Sequence, residues 1–413
     1  MRLFLSLLFV FLAGGVAGET LPGFRVETIA SVPGFVSSVA AASDGTLYAT
    51  TTNGWIHRID GNQSVPVAAL PTRAGGNGGL LGMAMLDDAT AVVHYTTWDD
   101  DEDLVLDDVI SEVELGTGAE RVLFSFQCDI EFRERGVSTE HHGGNPTVAP
   151  DGTIFVGIGD YGVSFPAQNP AWNGGKIWRL GRDGSVQQFA RGVRNPYDLA
   201  WDPELNRLVV ADNGPEAGDE IHVVAPGDNL GWPASYGNDP PVSGSIAPAY
   251  VWPSTVAPTG LLRLNGANTM LPRGYLSAAF VTRSLYYFPD LVTRPIPHPV
   301  AVVDRFNEFI LDVTQTPSGA IYFATAMGGA SSIHRLHVPP RGDCNGDGLT
   351  DVRDIVPVTK EIEDGGSHPR ITAQDGAYAG SWGCDANEDD VINDADFDAL
   401  LRLVFTRRRA ARH

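Results

Sequence analysis

Two acidic segments near the C-terminus have the composition and spacing of cation-binding loops. In each, positions one, three, five and twelve carry Asp or Asn, and position seven offers a backbone carbonyl. Hard cations such as Ca²⁺ prefer oxygen ligands, and this spacing wraps the chain around one ion. The predicted ligands are Asp343, Asn345, Asp347, Leu349, Asp351 and Asp354 in the first loop, and Asp385, Asn387, Asp389, Val391, Asn393 and Asp396 in the second.

Two loops with the same spacing of ligands are stronger evidence of calcium binding than either loop would be alone. A single such loop could arise by chance in a chain with a net charge of −23. Gly348 stands at position six of the first loop, where the chain bends sharply, but Asp390 stands there in the second. We therefore expect the second loop to bind Ca²⁺ more weakly.

A second group of polar residues lies in the middle of the chain. It comprises the segments 141–145, 192–196, 212–215, 219–220 and 227–233. A histidine such as His141 can accept a proton near neutral pH, and an arginine such as Arg194 can hold a carboxylate in its fork. The alternative interpretation is that His141 only caps a turn beside the glycine pair that follows it.

Short β-strands must position these residues, because a hairpin unit recurs along the chain. A typical copy has an Asp-Gly or Ser-Gly turn, then an alternating apolar strand, then a second strand. Recognisable copies begin near Ser43, Gly82, Pro150, Asp202, Ala278 and Pro317. One hairpin cannot bury its apolar face alone, and such repeats are typical of propeller blades. The sequence predicts an all-β, six-bladed β-propeller over residues 22–337; paired β-sandwiches are the alternative, but they do not explain the recurring turn.

The order and spacing of the central motifs resemble the soluble quinoprotein glucose/sorbosone dehydrogenases. The resemblance covers about residues 24–336, and its most specific part runs from Gly192 to Pro233. Propellers of this family bind pyrroloquinoline quinone and calcium at one end of the central channel. The resemblance therefore implies a quinone-dependent dehydrogenase that oxidises the C1 hydroxyl of aldose sugars to lactones.

The same resemblance implies roles for individual residues. His141 matches the general base, and Arg194 matches a second catalytic residue that faces the cofactor. The residues that match cofactor contacts are Asn77, Arg194, Asn195, Trp252, Thr255 and Arg283. Gly214 and Pro215 match backbone carbonyl ligands of the cofactor calcium. Asp219 and Glu220 match an acidic pair that either joins this calcium site or is structural.

The chain departs from the family pattern at three positions. Phe309 and Leu311 are apolar where the family places arginines, and Leu230 replaces an aromatic residue. Charge-assisted pairs are the strongest polar contacts, so this loss weakens the predicted binding of a tricarboxylate quinone. It also keeps open a non-catalytic propeller for carbohydrate or protein binding at the cell surface. A calcium-dependent hydrolase is a third possibility, against which the His-Gly-Gly and Arg-Asn-Pro segments argue.

The acidic loops resemble the duplicated loop-helix repeats of type I dockerin domains. This resemblance covers residues 343–405 and implies a small α-helical calcium-binding module with a cohesin-like protein partner. A short linker, 338–342, is expected to join it to the propeller. The arginine-rich residues 406–413 are expected to form a disordered tail.

The N-terminus and the charge balance indicate where the protein works. Residues 1–18 combine a charged start, an apolar run and a small-residue exit, which predicts a secretory signal peptide. We therefore expect a secreted, periplasmic or cell-surface bacterial protein. No second apolar run approaches a membrane span, and the acidic balance argues against nucleic acid as a partner.

Three cysteines leave two interpretations open. In an oxidising compartment Cys344 and Cys384 are the natural disulfide pair, because both lie in the C-terminal region. Cys128 would then remain outside the pair. The alternative is three buried thiols.

Overall fold

Six antiparallel β-sheets of four or five strands build the chain up to His337, which confirms the six-bladed propeller. The computed structural model describes residues 19–99, 104–128, 140–365, 368–369, 380–389 and 391–410. The predicted signal peptide, 1–18, lies outside these residues.

Each blade begins with the strand nearest the channel. Two N-terminal strands, β1 (Glu19–Thr20) and β2 (Arg25–Pro33), join blades 5 and 6. Blade 1 contains β3 (Val36–Ala41), β4 (Leu47–Thr51), β5 (Trp55–Asp60) and β6 (Gln63–Ala69). Blade 2 contains β7 (Leu80–Met85), β8 (Thr90–Asp99), β9 (Leu104–Glu114) and β10 (Glu120–Gln127). Blade 3 contains β11 (Thr147–Val148), β12 (Ile154–Ile158), β13 (Lys176–Leu180) and β14 (Val186–Arg191).

The second half of the ring repeats this order. Blade 4 contains β15 (Pro196–Asp202), β16 (Arg207–Asp212), β17 (Glu220–Val224) and β18 (Tyr250–Val251). Blade 5 contains β19 (Pro258–Arg263), β20 (Tyr275–Ala279), β21 (Ser284–Phe288) and β22 (Val300–Asp304). Blade 6 contains β23 (Phe309–Gln315), β24 (Ile321–Met327) and β25 (Ala330–His337). The inner strands β3, β7, β11, β15, β19 and β23 contact one another around the channel.

The recurring turns form as the sequence predicts. In blade 3 the Asp151 carboxylate accepts the backbone N–H of Thr153 at 2.9 Å, and Gly152 has a φ of 83°. Glycine reaches this left-handed region without the steric cost of a Cβ atom. The paired strands then bury apolar side chains between neighbouring blades, as Phe126 of blade 2 does against Ile154 of blade 3.

The ring closes by pairing the N-terminal strand with the last blade. Strand β2 runs antiparallel to β25, from Arg25 opposite His337 to Pro33 opposite Ala330. Blade 6 thus takes one strand from the start of the chain and three from the end of the propeller. Because the first and last strands of blade 6 in chain order are hydrogen-bonded to each other along their length, opening the ring requires breaking this whole ladder.

A small C-terminal module follows, with helices α1 (Ile355–Gly365) and α2 (Asp394–Ala410). The short strands β26 (His368–Pro369) and β27 (Val391–Ile392) pair within it. The structure confirms the disulfide between Cys344 and Cys384, and Cys128 is buried in the propeller. No helix in the described part of the chain is long and apolar enough to cross a membrane.

The structure describes both ends of this module. Helix α2 continues to Ala410, so the backbone of residues 406–410, the first part of the predicted arginine-rich tail, is helical. The predicted linker, 338–342, contacts both parts of the chain, because Gly342 N donates to Gly383 O at 2.8 Å and Val338 packs against the propeller core.

Trp382 anchors the module to the propeller. Its ring is 3% exposed and makes edge contacts with Phe24 and Tyr287, at centroid distances of 5.6 and 5.7 Å. Its indole N–H donates to the carbonyl of Met270 at 3.2 Å. The module therefore covers the joint where the N-terminal segment meets the last blades.

We expect Trp382→Ala to lower the free energy of unfolding by about 3–5 kcal/mol, the usual cost of truncating a buried tryptophan. Urea unfolding of the whole chain measures this loss. Val356, which is 61% exposed on the same module, supplies the control, since Val356→Ala should change stability by less than about 0.5 kcal/mol. Equal, small effects of both changes would show that the module does not pack on the propeller.

Candidate active site

A cavity of about 480 Å³ lies at the end of the channel where the inner strands begin. The C-terminal module contacts the loops that follow these strands, so it lies on the opposite face. Polar side chains line much of the cavity: Ser37, Thr52, Asn77, Arg194, Asn195, Tyr197, Asn213, Asp219, Thr255 and Thr259. Apolar side chains complete the wall: Phe35, Leu81, Phe280 and Leu311.

Arg194 is the only Lys or Arg among the described residues that line the cavity. Its Nη1 donates to the carbonyls of Asn213 and Gly214, at 2.8 and 3.1 Å. Beneath it, the buried Asp212 carboxylate accepts the backbone N–H groups of Arg194 and Asn195, at 2.9 and 2.7 Å. Burial and the neighbouring Glu220 raise the pKa of Asp212 to about 8. Arg194 is therefore fixed at two places, by its backbone N–H bonded to Asp212 and by its guanidinium bonded to the carbonyls of Asn213 and Gly214.

His141, in the segment before blade 3, is not among the residues that line the cavity, but it pairs with Asp160. Asp160 N donates to the carbonyl of cavity-lining Arg194 at 2.8 Å, which places the pair beside the cavity. His141 Nδ1 donates to Asp160 Oδ1 at 2.7 Å, and the two side chains are 16% and 2% exposed. A carboxylate can only accept, so a hydrogen lies on Nδ1; in the neutral tautomer with that hydrogen, Nε2 carries the lone pair. Asp160 also accepts the indole N–H of Trp232 at 2.8 Å, which fixes its own orientation. An imidazole held in this way is suited to accept a proton.

Asp160 was not among the predicted site residues. A signal for it in the sequence is the polar Gly-Asp-Tyr-Gly segment in the hairpin copy that begins near Pro150, and the structure places this segment directly after β12.

Other residues predicted from the resemblance also reach the cavity. Asn77, Asn195, Asp219 and Thr255 line it, as does the backbone of Gly214. Asn195 joins two blades, because its side-chain oxygen accepts the N–H of Gly143 at 3.2 Å. Asp219 accepts the backbone N–H groups of Gly214, Val256 and Ala257.

Besides His141, four other predicted residues are not among those that line the cavity. Trp252 is 3% exposed and packs against Tyr250 and Phe288 between blades 4 and 5. Glu220 accepts from His222 and from the N–H of Gly237. Arg283 lies in the turn between β20 and β21, and the Pro215 carbonyl accepts the N–H of Ala217. A motif match gives the order of residues along the chain but not the direction of each side chain.

One wall of the cavity is apolar, as the sequence departures imply. Leu311 is 1% exposed and lines the cavity beside Phe280. Phe309 stacks on the far side of Phe280, with ring centroids 4.4 Å apart and planes 11° apart. This wall offers a surface for a flat or apolar face of a ligand.

Two buried carboxylates lie in the channel below the cavity, and sequence reasoning missed both. Asp312 accepts from Ser38 Oγ and the N–H of Val39 in blade 1, each at 2.8 Å. Asp198 accepts the N–H of Leu261 in blade 5 at 2.6 Å. Burial raises the pKa of Asp312 to about 7, and burial together with the Asp312 charge raises the pKa of Asp198 well above its usual range. The pair therefore binds protons more tightly in the folded protein than in the unfolded chain.

A sequence model of the family described as glucose/sorbosone dehydrogenase matches residues 36–334, most of the propeller. The chain belongs to the glucose/sorbosone dehydrogenase family. Curated relatives include an uncharacterised protein of Synechocystis sp., 28% identical over 249 residues, which are 49% of this chain and 58% of the relative. An aldose sugar dehydrogenase of Escherichia coli is 28% identical over 151 residues, 30% of this chain and 41% of the relative.

A third relative is quinoprotein glucose dehydrogenase B of Acinetobacter calcoaceticus, 31% identical over 135 residues, 25% of this chain and 28% of the relative. The matches therefore span only 58%, 41% and 28% of the lengths of these three relatives.

Solved structures in this family share the fold. The apo-form of the soluble aldose sugar dehydrogenase from Escherichia coli matches with a TM-score of 0.67 and 20% identity over 76% of this chain and 99% of that chain. The pyrroloquinoline-quinone-bound aldose sugar dehydrogenase from Streptomyces coelicolor matches with a TM-score of 0.61 and 22% identity over 77% of this chain and 100% of that chain.

The acidic loops lie outside the family match and share one hydrogen-bond register. Asp354 accepts the N–H groups of Asn345 and Asp351, and Asp396 accepts those of Asn387 and Asn393. Positions three and nine of each loop thus bond to position twelve. Across the described stretches of the chain, no three His, Cys, Asp or Glu side chains gather into a metal site.

We expect Asp312→Asn to flatten the pH dependence of stability. The folded pKa of Asp312 exceeds the unfolded value, so the wild type should lose stability as pH rises from about 4, the unfolded value, through about 7. Urea unfolding at both ends of this range measures the loss. Asp60→Asn, at a carboxylate 69% exposed, is the control and should keep the wild-type slope. An unchanged slope in Asp312→Asn would contradict the assignment.

Proposed function

We propose that this member of the family is a pyrroloquinoline-quinone-dependent aldose dehydrogenase that oxidises the C1 hydroxyl of sugars to lactones. The observation that carries the proposal is the His141–Asp160 pair, at 2.7 Å, beside a cavity that holds Arg194. The pair supplies an oriented proton acceptor, and the arginine supplies a fixed positive charge. Family membership supplies the class of chemistry.

The residues at the cavity fit the quinone. Arg194 presents a guanidinium for one carboxylate, and Asn77, Asn195 and Thr255 would contribute polar contacts. The apolar wall at Phe280 and Leu311 suits a flat ring system. The Gly214 carbonyl and the Asp219 carboxylate would contribute oxygens to a cofactor calcium. When bound, pyrroloquinoline quinone supplies the electron acceptor for the hydride of C1.

The protein's own residues then perform the proton chemistry. His141 Nε2 accepts the proton of the C1 hydroxyl, because Nδ1 is committed to Asp160. Asp160 keeps the ring oriented and stabilises the imidazolium that forms, as carboxylates paired with catalytic histidines do. Asn195 links the turn of Arg194 to Gly143, so the charge and the base keep a fixed separation.

The alternative to a quinone-dependent dehydrogenase is a propeller that binds carbohydrate or protein without catalysis, and the apolar wall is the observation that favours it. Phe309 and Leu311 remove two expected cations, so quinone affinity depends on Arg194 more than the family pattern implies.

We further propose that the protein is secreted, periplasmic or on the cell surface. The disulfide between Cys344 and Cys384 supports this, because disulfides persist in oxidising compartments. A cohesin-like partner for the C-terminal module rests on the resemblance of its loops alone.

We expect His141→Ala to reduce kcat by about a hundredfold or more, the usual scale for a general base, with quinone affinity preserved. Arg194→Ala should instead weaken quinone binding, because it removes the fixed cation from the cavity. Reconstitution with quinone and calcium, followed by a dye-reduction assay and a binding isotherm, separates the two effects. Absence of saturable binding of wild-type protein at micromolar quinone would favour the non-catalytic propeller.

We propose that the two acidic loops bind Ca²⁺ and hold the C-terminal module together. Asp343 is 0% exposed, and its Oδ1 has no hydrogen-bond partner among the residues that the structure describes. Burial, with smaller effects from Asp354 and Asp347, raises the pKa of Asp343 to about 6. A bound cation would satisfy this oxygen and offset the cost of burying its charge.

Calcium should therefore raise the melting temperature of the module in the full chain, by mass action on the folded form. Asp343→Ala combined with Asp385→Ala should abolish this shift, whereas Asp60→Asn on the propeller surface should leave it intact. Calorimetry with calcium and with chelator measures both. An equal calcium shift in the double variant and the wild type would refute binding at these loops.

A further inference from the structure

Behind the His141–Asp160 pair, blade 2 presents a buried carboxylate to blade 3. Asp108 on β9 accepts from His142 Nδ1 at 2.9 Å, from Tyr161 Oη at 3.0 Å and from His94 Nε2 at 3.1 Å. All four side chains belong to residues that are 0% exposed. One carboxylate thus collects three donors from two blades in the dry interior.

Two of these donors are chain neighbours of the catalytic pair. His142 follows His141, and Tyr161 follows Asp160. Asp108 therefore holds both segments that must meet to form the hydrogen bond between His141 Nδ1 and Asp160 Oδ1.

Both segments have backbone conformations that need such support. His141 has a φ of 49° and Tyr161 a φ of 55°. Residues with a Cβ atom enter this left-handed region only at a steric cost. Such conformations persist where the surrounding structure fixes them, and the hydrogen bonds to Asp108 are buried side-chain contacts that fix both segments at once.

His94 adds a second set of buried contacts. Its Nδ1 lies 2.9 Å from the carbonyl of Gly144, and its Nε2 lies 3.1 Å from Asp108. Burial alone would raise the pKa of Asp108, but the His142 and His94 imidazoles outweigh it and lower that pKa well below its usual range. Removing a partner of a buried carboxylate leaves its charge less compensated.

We propose that Asp108 is a positioning residue for His141, and that the hydrogen bonds it makes, together with those of the buried His94 of blade 2, fix the two segments of blade 3 that carry His141 and Asp160. The importance of His141 rests on the proposed function, but the geometry can be tested without any activity. Asp108 acts through its neighbours, since it contacts His142 and Tyr161 rather than the cavity.

The test is the imidazole Nδ1–H resonance of His141 in protein labelled with ¹⁵N-histidine. In the wild type, the 2.7 Å bond to Asp160 should give a downfield signal, assigned by its absence in His141→Ala. Asp108→Asn should remove this signal. Val302→Ala, which truncates a 0% exposed core residue of blade 5, is the matched control for general destabilisation and should keep it. Tyr161→Phe deletes one bond and should speed exchange of this proton with water about tenfold.

Each outcome decides the proposal. An unchanged signal in Asp108→Asn, loss of the signal in Val302→Ala, or wild-type exchange in Tyr161→Phe would overturn it. If Asp108→Asn does not fold, the Tyr161→Phe exchange rate decides alone. Where the reconstituted enzyme oxidises aldoses, Asp108→Asn should lower kcat at least about tenfold and leave KM nearly unchanged. If no aldose is oxidised by wild-type protein, the proposed function fails while the resonance still tests the positioning role.

Discussion

The closure of six blades into a ring is the constraint on which the cavity depends. Each blade contributes a residue from the start of its inner strand or the loop before it, as Asn77 of blade 2 and Arg194 of blade 4 illustrate. These residues are far apart in the chain, and only the ring brings them to one end of the channel. The ladder between β2 and β25 holds that ring shut, and Trp382 of the C-terminal module packs beside the joint. Loss of the β2–β25 pairing would therefore be expected to move apart the blades that supply the cavity residues.

Buried aspartates repeatedly tie one blade to the next. Asp108 joins blade 2 to blade 3, Asp198 joins blade 4 to blade 5, and Asp312 joins blade 6 to blade 1. A carboxyl group suits this task because its two oxygens accept several hydrogen bonds at once. The pKa values of these groups differ in direction: the His142 and His94 imidazoles lower that of Asp108, whereas burial raises those of Asp198 and Asp312. Some of the acidic residues behind the net charge of −23 thus serve the interior rather than the surface.

The sequence predicted the fold because its signals are local. An Asp-Gly turn such as Asp151–Gly152 and the alternating strand after it can be read within ten residues, and six such units imply the ring. The cysteine pair could also be anticipated, since Cys344 and Cys384 lie in the same short module. The site residues were harder to predict, because the partners of Asp160 and Asp108 lie in other parts of the chain and come close only when the blades pack together. The directions of side chains were the hardest feature to predict: Trp252 and Glu220 match family motifs, yet they point into the interior.

The central claim is that His141 removes a proton from a sugar whose electrons pass to a quinone in this cavity. Single-turnover absorbance measurement tests it most directly, with quinone bound to the protein in calcium buffer and no external electron acceptor. The account predicts that adding an aldose changes the absorbance of the bound quinone to that of its reduced form, rapidly in the wild type and at least about a hundredfold more slowly in His141→Ala. Bound quinone that stays oxidised with every aldose tested would contradict it.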